Sequence, residues 1–279
     1  MKKTIIVFLL LITSTNFINA QTAEQIIDKA ILQMSSKNAY KFKFKSVERI
    51  NGELINSTML TKVMYSPSKV YINNIEGKNK GKELLYVKGE NKSKVLVNVA
   101  WGLSLSPFSP LIRKGNHHTV LNSGFRSVYK ILSDAKKRAA AEASFNEVFT
   151  KNGDVDFHGR KCYKFTIDNP TFGYIDYTIK NGESLYQIAK RLNVNETLII
   201  EKNNNLSGFD SAKDGLKIKI PNSYAKKTII YVDKVNYHVI YQEIYDDKGL
   251  FEKYSFINLV INPTFAADEF TEDFADYKF

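Results

Sequence analysis

Apolar residues recur along the chain with two different spacings, which predict two kinds of secondary structure. Between residues 22 and 37 they stand three and four positions apart, as on the buried face of a helix, and Thr22 with Gln25 fits a capping box. A second stretch with this spacing runs from Ser123 to about Ala143. Elsewhere apolar and polar residues alternate, as between Tyr40 and Lys45, which predicts β-strands. The chain is therefore predicted to be an α+β protein.

The alternating stretches follow one another with short turns between them. Asn51-Gly52 is a strong hairpin signal, and turns rich in Gly and Lys separate the strands that follow it up to Val99. Alternation returns at residues 155–167 and again between residues 228 and 261. Serial strands with this punctuation predict an antiparallel meander. We expect a curved sheet or half-barrel with covering helices.

The segment between Tyr177 and Pro221 has a different organisation. A short alternating strand ends at Asn181-Gly182, and the apolar positions that follow have helical spacing. A second helix then ends at the run Asn203 to Asn205, because Asn side chains compete for backbone hydrogen bonds. Ile218 and Ile220 alternate in a last strand. The predicted order is strand, helix, helix, strand.

This segment resembles a LysM domain, a small carbohydrate-binding module. The resemblance rests on residues spaced over the whole segment: Tyr177, Ile179, Gly182, Glu183-Ser184-Leu185, Ile188-Ala189, Val194, Asn203, Gly215 and Ile218-Lys219-Ile220-Pro221. It departs from the family pattern at Glu183-Ser184, where Asp-Thr is usual, and at Tyr186, where Trp is frequent. The resemblance implies binding of polymers that contain N-acetylglucosamine, such as peptidoglycan.

The LysM resemblance places the glycan in a groove between two loops. The residues that it implies for glycan binding lie in the loop before the first helix and in the loop after the second. They are Asn181, Gly182, Glu183, Ser184, Leu185, Tyr186, Asn203, Asn204, Asn205 and Leu206. Amide groups can bond the N-acetyl group and the hydroxyls of a sugar. The alternative for the Asn run is that it only ends a helix.

The LysM-like segment is bracketed by strands of one kind, which predicts that it is inserted in a turn of a host domain. We expect a discontinuous host at residues 21–170 and 226–279, with the insertion at residues 174–223. The host resembles, in its architecture, the LolA/LolB type of periplasmic lipoprotein-sorting carrier. That resemblance rests on an opening helix, a meander, a helical interruption and later strands such as Tyr231 to Lys234. It implies an acyl chain or a lipoprotein as cargo.

An apolar stretch broken by Pro107 and Pro110 is the candidate cover of a cargo cavity. Its apolar residues are Leu103, Leu105, Phe108 and Leu111. Proline prevents this stretch from becoming a long helix or a central strand, so a movable loop over an apolar cavity is expected. The alternative is a loop tucked onto a filled core, in which the aromatic residues of the strands are simply core.

The start of the chain has the form of a secretory signal peptide. Lys2 and Lys3 precede an apolar run from Ile5 to Ile12, and we expect residues 1–20 to be removed by cleavage after Ala20. Losing the two lysines takes the formal net charge from +11 to +9. A basic exported protein suits the anionic cell wall. The expected location is periplasmic or associated with the cell wall, peripheral to the membrane, with no nucleic-acid partner.

The residue types that carry catalysis form no recognisable motif. Cys162 lies in the middle of a strand, which is unlike a nucleophile at the start of a helix. Asp154, Asp156 and His158 share a strand face but lack the spacing of a zinc site. We therefore predict no catalytic residue, no metal site, no cofactor and a non-enzymatic protein. A peptidoglycan hydrolase with an unrecognised site and a purely structural wall tether are the alternatives.

Overall fold

The computed structural model describes residues 21–99, 102–142 and 144–279. The predicted signal peptide, at residues 1–20, lies outside the described residues, as does Ala143 at the end of the second predicted helix. The helices are α1 Ala23–Ser36, α2 Pro110–Arg113, α3 Arg126–Glu142, α4 Phe145–Val148, α5 Leu185–Leu192 and α6 Glu196–Lys202. The strands are β1 Ala39–Ile50, β2 Glu53–Tyr65, β3 Ser68–Gly77, β4 Glu83–Val87, β5 Val95–Val97, β6 Leu103–Leu105, β7 Phe149–Phe157, β8 Arg160–Asp168, β9 Tyr174–Thr178, β10 Lys217–Pro221, β11 Lys227–Asp233, β12 Val239–Asp246 and β13 Gly249–Ile261.

Most of the described strands belong to one large antiparallel sheet. Its order is β6-β5-β4-β3-β2-β1-β13-β12-β11-β8-β7, so the sheet is open and β6 and β7 are its edges. Each of the two halves is a meander in which chain neighbours mostly pair, as the short turns predicted. The strands on either side of the LysM-like segment, β8 and β11, pair directly, with Ile167 opposite Thr228.

Two helices pack against one face of the sheet, which we call the inner face. The predicted capping box at the start of α1 is present: the Gln25 amide donates to Thr22 Oγ1 at 3.2 Å. The apolar faces of α1 and α3 bury the following residues in the main core: Ile26, Ile27, Ala30, Met34, Val128, Leu132, Ala135 and Ala139. No helix within the described ranges is long and apolar enough to cross a membrane.

The C-terminal segment after β13 covers part of the opposite, outer face. Phe270 and Tyr277 are buried there in a separate cluster with Tyr71 of β3 and with Leu85 and Val87 of β4. The rings of Tyr71 and Tyr277 stack, with centroids 3.6 Å apart. Both faces of β3 and β4 are therefore buried, which explains why residues 84–87 of β4 are a continuous apolar run instead of an alternating one.

The LysM-like segment folds as a separate layer of β9, α5, α6 and β10. Strands β9 and β10 pair antiparallel, and Ser184 caps α5 by accepting from the Gln187 amide. Apolar residues from this segment form their own core: Ile179, Leu185, Ile188, Ala189, Val194, Ile199, Leu206, Ile218 and Ile220. The predicted fold class, α+β with an open antiparallel sheet, covering helices and a βααβ module, is confirmed.

Candidate functional site

The two loops of the candidate glycan groove connect strand to helix and helix to strand. Residues 181–184 lead from β9 into α5, and residues 203–207 lead from α6 towards β10. Asn181, Gly182, Asn204 and Asn205 are exposed. The φ of Gly182 is 76°, a left-handed value that glycine adopts readily. Leu185 and Leu206 belong to one buried core, which lies beneath both loops.

Three of the residues implied for glycan binding are buried and act as supports of the groove. Leu185 and Leu206 are core residues, and Asn203 is only 7% exposed. The Asn203 amide donates to the carbonyl oxygens of Ile199 at 2.7 Å and Lys219 at 2.6 Å, and it accepts from the Lys219 amide at 2.7 Å. Its polar atoms are committed to joining α6 to β10, so its side chain is not available to a sugar.

The carboxylate of Glu183 is also committed within the module. It accepts from the Tyr177 hydroxyl at 2.5 Å and from the Lys180 amide at 3.0 Å, and it pairs with Arg191 at 2.8 Å. The hydrogen bond from Tyr177, with that from the Lys180 amide, lowers the pKa of Glu183. These contacts fix the first loop against the start of α5. Of the residues implied for glycan binding, Asn181, Gly182, Asn204 and Asn205 are exposed and Ser184 and Tyr186 are partly exposed. Asn205 Nδ2 donates to the carbonyl oxygen of Lys217 at 3.1 Å.

The host contains a cavity of about 110 Å³ between the inner face of the sheet and the segment that precedes α3. Its exposed lining is mainly apolar, although polar and charged side chains such as Glu48, Lys82 and Arg113 also line it. The aromatic and aliphatic lining residues are Phe42, Phe44, Met59, Ile72, Leu84, Ile112, Val120, Val128, Tyr254 and Phe256. The aromatic residues of β1 and β13 pack edge to face here, with Phe42 and Phe256 centroids 5.2 Å apart. The sequence predicts an apolar cavity under the stretch from Leu103 to Leu111, whereas this cavity lies under the segment that precedes α3.

The predicted cover residues do not line this cavity. Leu103 and Leu105 belong to the edge strand β6, which pairs with β5, so their alternation was a strand signal. Leu111 points to solvent and is 67% exposed, and the ring of Phe108 contacts Tyr186 of the LysM-like segment. The lining on the side away from the sheet comes slightly later in the chain and includes Ile112, Arg113, Asn116, 118–120 and 122–124.

The short helix α2 lies between the cavity and the LysM-like segment. Arg113, which lines the cavity, donates to both carboxylate oxygens of Glu196 at the start of α6, at 3.2 and 2.6 Å. Its guanidinium group stacks over the ring of Phe209, 3.5 Å from the centroid. Both charged side chains are almost fully buried. A buried pair of this kind holds two elements in one arrangement, because neither charge can be left alone in the interior.

A second buried cluster joins host and module around Glu252 of β13. Its Oε1 atom accepts from Asn195 Nδ2 at 2.7 Å, and its Oε2 atom accepts from the Tyr224 hydroxyl at 2.9 Å. Asn195 caps α6 of the module. His117 lies against the same carboxylate, with Nδ1 2.8 Å from Oε1, while its Nε2 is 2.8 Å from the carbonyl oxygen of Arg49.

The contacts of His117 show that its ring is an imidazolium. A carboxylate and a carbonyl oxygen only accept, so both ring nitrogens must donate. Burial alone would lower the pKa of His117, but the carboxylates of Glu48 and Glu252 outweigh it and raise the pKa to about 9. Burial likewise opposes ionisation of Glu252, yet His118 and His117 hold the pKa of that carboxyl well below its usual range. The pair is therefore ionised at neutral pH.

Sequence patterns carry no signal for these two junction clusters. Arg113 and Glu196 are separated by 83 positions, and His117 and Glu252 by 135. No spacing rule connects such distant polar residues. The only local hint is that Glu48 and Glu252 lie within strands rich in apolar residues, where a carboxylate must find partners if it is buried.

Two family models match parts of the chain. The family model of the LysM domain matches residues 177–221. A second model, described as Protein of unknown function (DUF1571), matches residues 37–180. No match was found among curated proteins.

Among solved structures, the chain is similar to an uncharacterized conserved protein from Thermus thermophilus, with 7% identity over 92% of this chain and 98% of that chain and a TM-score of 0.40. It is similar to the Mycobacterium tuberculosis lipoprotein LppX, with 9% identity over 88% and 100% of the two chains and a TM-score of 0.42. It is also similar to the LolA superfamily protein NE2245 from Nitrosomonas europaea, with 11% identity, coverage of 91% and 99% and a TM-score of 0.30. The chain belongs to the DUF1571 family and carries a LysM domain at residues 177–221.

Proposed function

We propose that this chain is a non-enzymatic protein of the bacterial cell envelope that binds peptidoglycan through its LysM domain and holds an acyl chain in the host cavity. The observation that carries the proposal is the combination of a LysM domain with an apolar cavity in one chain. The cavity favours a carrier over a purely structural tether, for which a filled core would suffice.

Glycan binding is supported by the exposed loop surface of the LysM domain. Co-sedimentation with purified peptidoglycan tests it. The double variant Asn181→Ala/Asn204→Ala removes two exposed amides from the groove and should weaken sedimentation. Asn56→Ala, an exposed asparagine in β2 of the host, is the matched control and should sediment like the wild-type protein. Unchanged sedimentation of the double variant would contradict the groove assignment.

Binding of an acyl chain is supported by the apolar lining of the cavity. Each buried methylene contributes about 0.8 kcal/mol, so even part of a chain gives useful affinity. Titration with a fluorescent fatty acid, together with mass spectrometry of protein purified without detergent, tests this. Met59→Trp should fill the cavity and abolish saturable binding, whereas the neighbouring Leu60→Trp should not, because Leu60 is 44% exposed on the other face of β2. Saturable binding that is unaffected by Met59→Trp would contradict this location.

The absence of catalysis is part of the proposal, and the state of the candidate groups supports it. Both oxygens of Glu252 and both oxygens of Glu48 already accept hydrogen bonds from protein donors. Burial raises the pKa of the Cys162 thiol to about 12, so the thiolate that a nucleophile needs does not form. Soluble fragments released from purified peptidoglycan by the protein would favour the hydrolase alternative.

Export to the periplasm or the cell wall completes the proposal. It is supported by the signal-peptide pattern of residues 1–20 and by the basic character of the remaining chain. Mass spectrometry of the protein recovered from the periplasm should give a mature chain that begins at Gln21. A full-length chain in the cytoplasm would contradict it.

A further inference from the structure

A second, larger cavity lies where the LysM domain meets the host. It has a volume of about 480 Å³. Its walls come from β3 and β4, from the segment 117–122 with the first turns of α3, and from α5 and the start of α6. Both domains contribute side chains, so this junction cleft exists only when they are docked.

The junction cleft is strongly basic. Four cationic side chains line it: Lys88, Arg126, Lys130 and Lys190. In the part of the chain that the structure describes, none of the four forms an ion pair. The only carboxylate among the described lining residues is that of Glu196, which is neutralised by Arg113. Four cations around one cleft, with a single carboxylate that is already paired, create a positive potential that favours an anionic ligand.

The start of α3 adds to this potential. The helix begins at Arg126 and has no acidic residue in its first turn, so the positive end of its dipole is not neutralised by its own sequence. Ser127, in that first turn, is also a lining residue, and its hydroxyl donates to the carbonyl oxygen of Asn122 at 3.3 Å. The donors left for a ligand are therefore the ammonium and guanidinium groups, which phosphate and carboxylate groups prefer.

The junction cleft adjoins the apolar cavity. His118, Thr119, Asn122 and Ser127 line both, so this short segment is the partition between them. One side of the partition is mainly apolar, and the other is basic. A ligand that lies across the partition would place an apolar part and an anionic part in matching surroundings.

We infer that the junction cleft binds the anionic head group of an amphiphile whose acyl chain occupies the apolar cavity. The inference rests on the proposed acyl-chain function and adds that the ligand must carry a negatively charged head group. Because Lys190 belongs to the LysM domain and Lys130 to the host, the head group is held by both domains. The peptide carboxylates of peptidoglycan would also suit a basic cleft, but they give no reason for the adjoining apolar cavity.

Competition binding against a fluorescent fatty acid tests the inference in the full chain. The probes are lysophosphatidic acid, the neutral monoacylglycerol with the same chain, and inorganic phosphate. We expect lysophosphatidic acid to bind about tenfold more tightly than monoacylglycerol, as two or three partly screened charge pairs would give. Lys130→Gln/Lys190→Gln should remove the preference and leave binding of monoacylglycerol unchanged.

The control variant is Lys94→Gln/Lys213→Gln, which removes the same charge from exposed positions, one in the host and one in the LysM domain. It should keep the preference for the anionic lipid. Equal binding of both lipids to the wild-type protein would overturn the head-group inference and leave the acyl-chain function standing. Failure of both lipids to bind would overturn the proposed acyl-chain function, whether or not inorganic phosphate binds.

Peptidoglycan sedimentation of the same variants tests the alternative that the junction cleft binds the peptide carboxylates of peptidoglycan. Lys130→Gln/Lys190→Gln should sediment as the wild-type protein does, because neither residue lies in the loop groove. Loss of sedimentation together with an unchanged lipid preference would overturn the inference and assign the junction cleft to the peptide part of peptidoglycan.

Discussion

Asn203 and Asn204 are neighbours in the LysM domain, yet their side chains have different surroundings. The Asn203 amide is buried and bonds backbone groups of α6 and β10, whereas Asn204 is exposed in the turn. A buried amide that satisfies backbone groups contributes to folding, and an exposed amide is free to meet a ligand. The two substitutions should therefore separate stability from glycan binding.

We predict that Asn203→Ala lowers the free energy of unfolding of the LysM domain by about 2 to 4 kcal/mol, because buried backbone groups of Ile199 and Lys219 lose their partner. Asn204→Ala should change that free energy by less than about 0.5 kcal/mol but weaken peptidoglycan binding. Urea denaturation of the full chain measures the first effect, and sedimentation measures the second. Equal stability of the two variants would show that the Asn203 bonds do not matter.

The imidazolium of His117 links stability to pH. It faces Glu48 and Glu252, with His118, Tyr224 and Tyr254 packed against the same carboxylates. Its pKa is raised from 6.5 to about 9 in the folded chain. A group whose pKa rises on folding stabilises the folded state fully below its unfolded pKa and loses that contribution as the pH rises through its folded pKa.

We therefore predict that stability falls between about pH 6.5 and pH 9, with a contribution from His117 of at most about 1.4 kcal/mol per pH unit. Burial alone would lower the pKa of His118, but the Glu252 carboxylate also raises the pKa of His118, which adds to the fall in the same direction. The depressed pKa of Glu252 acts in the opposite direction, so its contribution is lost only in acid. Thermal denaturation across this range measures the effect. His117→Gln should lower the melting temperature at pH 6 and flatten the profile between pH 6.5 and pH 9. An unchanged slope in that variant would assign the titration to another group.

Among the helices, α2 is short but has contacts on two sides. Ile112 and Arg113 line the apolar cavity, while the Arg113 guanidinium reaches Glu196 and Phe209 of the LysM domain. A helix starts there because Pro110 suits the first helical position and Ser109 caps the helix. The helix is only four residues long and lies between the strand β6 and an extended segment. This helix therefore couples the cavity cover to the docked module.

We predict that Arg113→Ala destabilises the chain by about 3 to 5 kcal/mol, because Glu196 is left buried without a counter-charge. The double variant Arg113→Ala/Glu196→Gln should be less destabilised than the sum of the single variants, with a coupling of at least about 1 kcal/mol. The exposed pair Lys234 and Asp154 is the control. A double-mutant cycle on this pair should give a coupling energy of less than about 1 kcal/mol. Similar couplings for both pairs would mean that Arg113 and Glu196 do not fix the docking.

Local sequence patterns predicted the helices and strands well, but they did not predict the polar contacts between residues distant in the chain. The helix after Thr22, the hairpin at Asn51-Gly52 and the LysM elements follow from spacing and turn chemistry, which act between near neighbours. Leu103 and Leu105 were expected in a loop because their alternation is compatible with an apolar loop as well as with a strand, and only pairing with β5 decides between the two. The junction clusters depend on how two domains dock, which no local pattern encodes.

At the scale of the whole molecule, the two domains are neither independent nor one continuous layer. The host strands β8 and β11 pair across the base of the LysM domain, with Asp168 opposite Lys227, so the host sheet closes without it. At the same time, Leu198 of α6 is buried in the main core of the host and not in the core of its own domain. The insertion at residues 174–223 remains a prediction. These contacts determine how much stability the host would lose if the insertion were removed.

We predict that a host in which residues 174–223 are replaced by a short Gly-Ser turn still unfolds cooperatively, but with stability reduced by roughly 2 to 5 kcal/mol. The pairing of β8 with β11 is retained, while the burial of Leu198, worth about 1.5 to 3 kcal/mol, and the bonds of Asn195 and Glu196 are lost. The excised domain keeps its own core, so it should fold alone with marginal stability. Urea denaturation of both fragments and of the full chain measures this. Non-cooperative unfolding of the shortened host would contradict the division into two domains, and an unchanged midpoint would show that docking contributes nothing to stability.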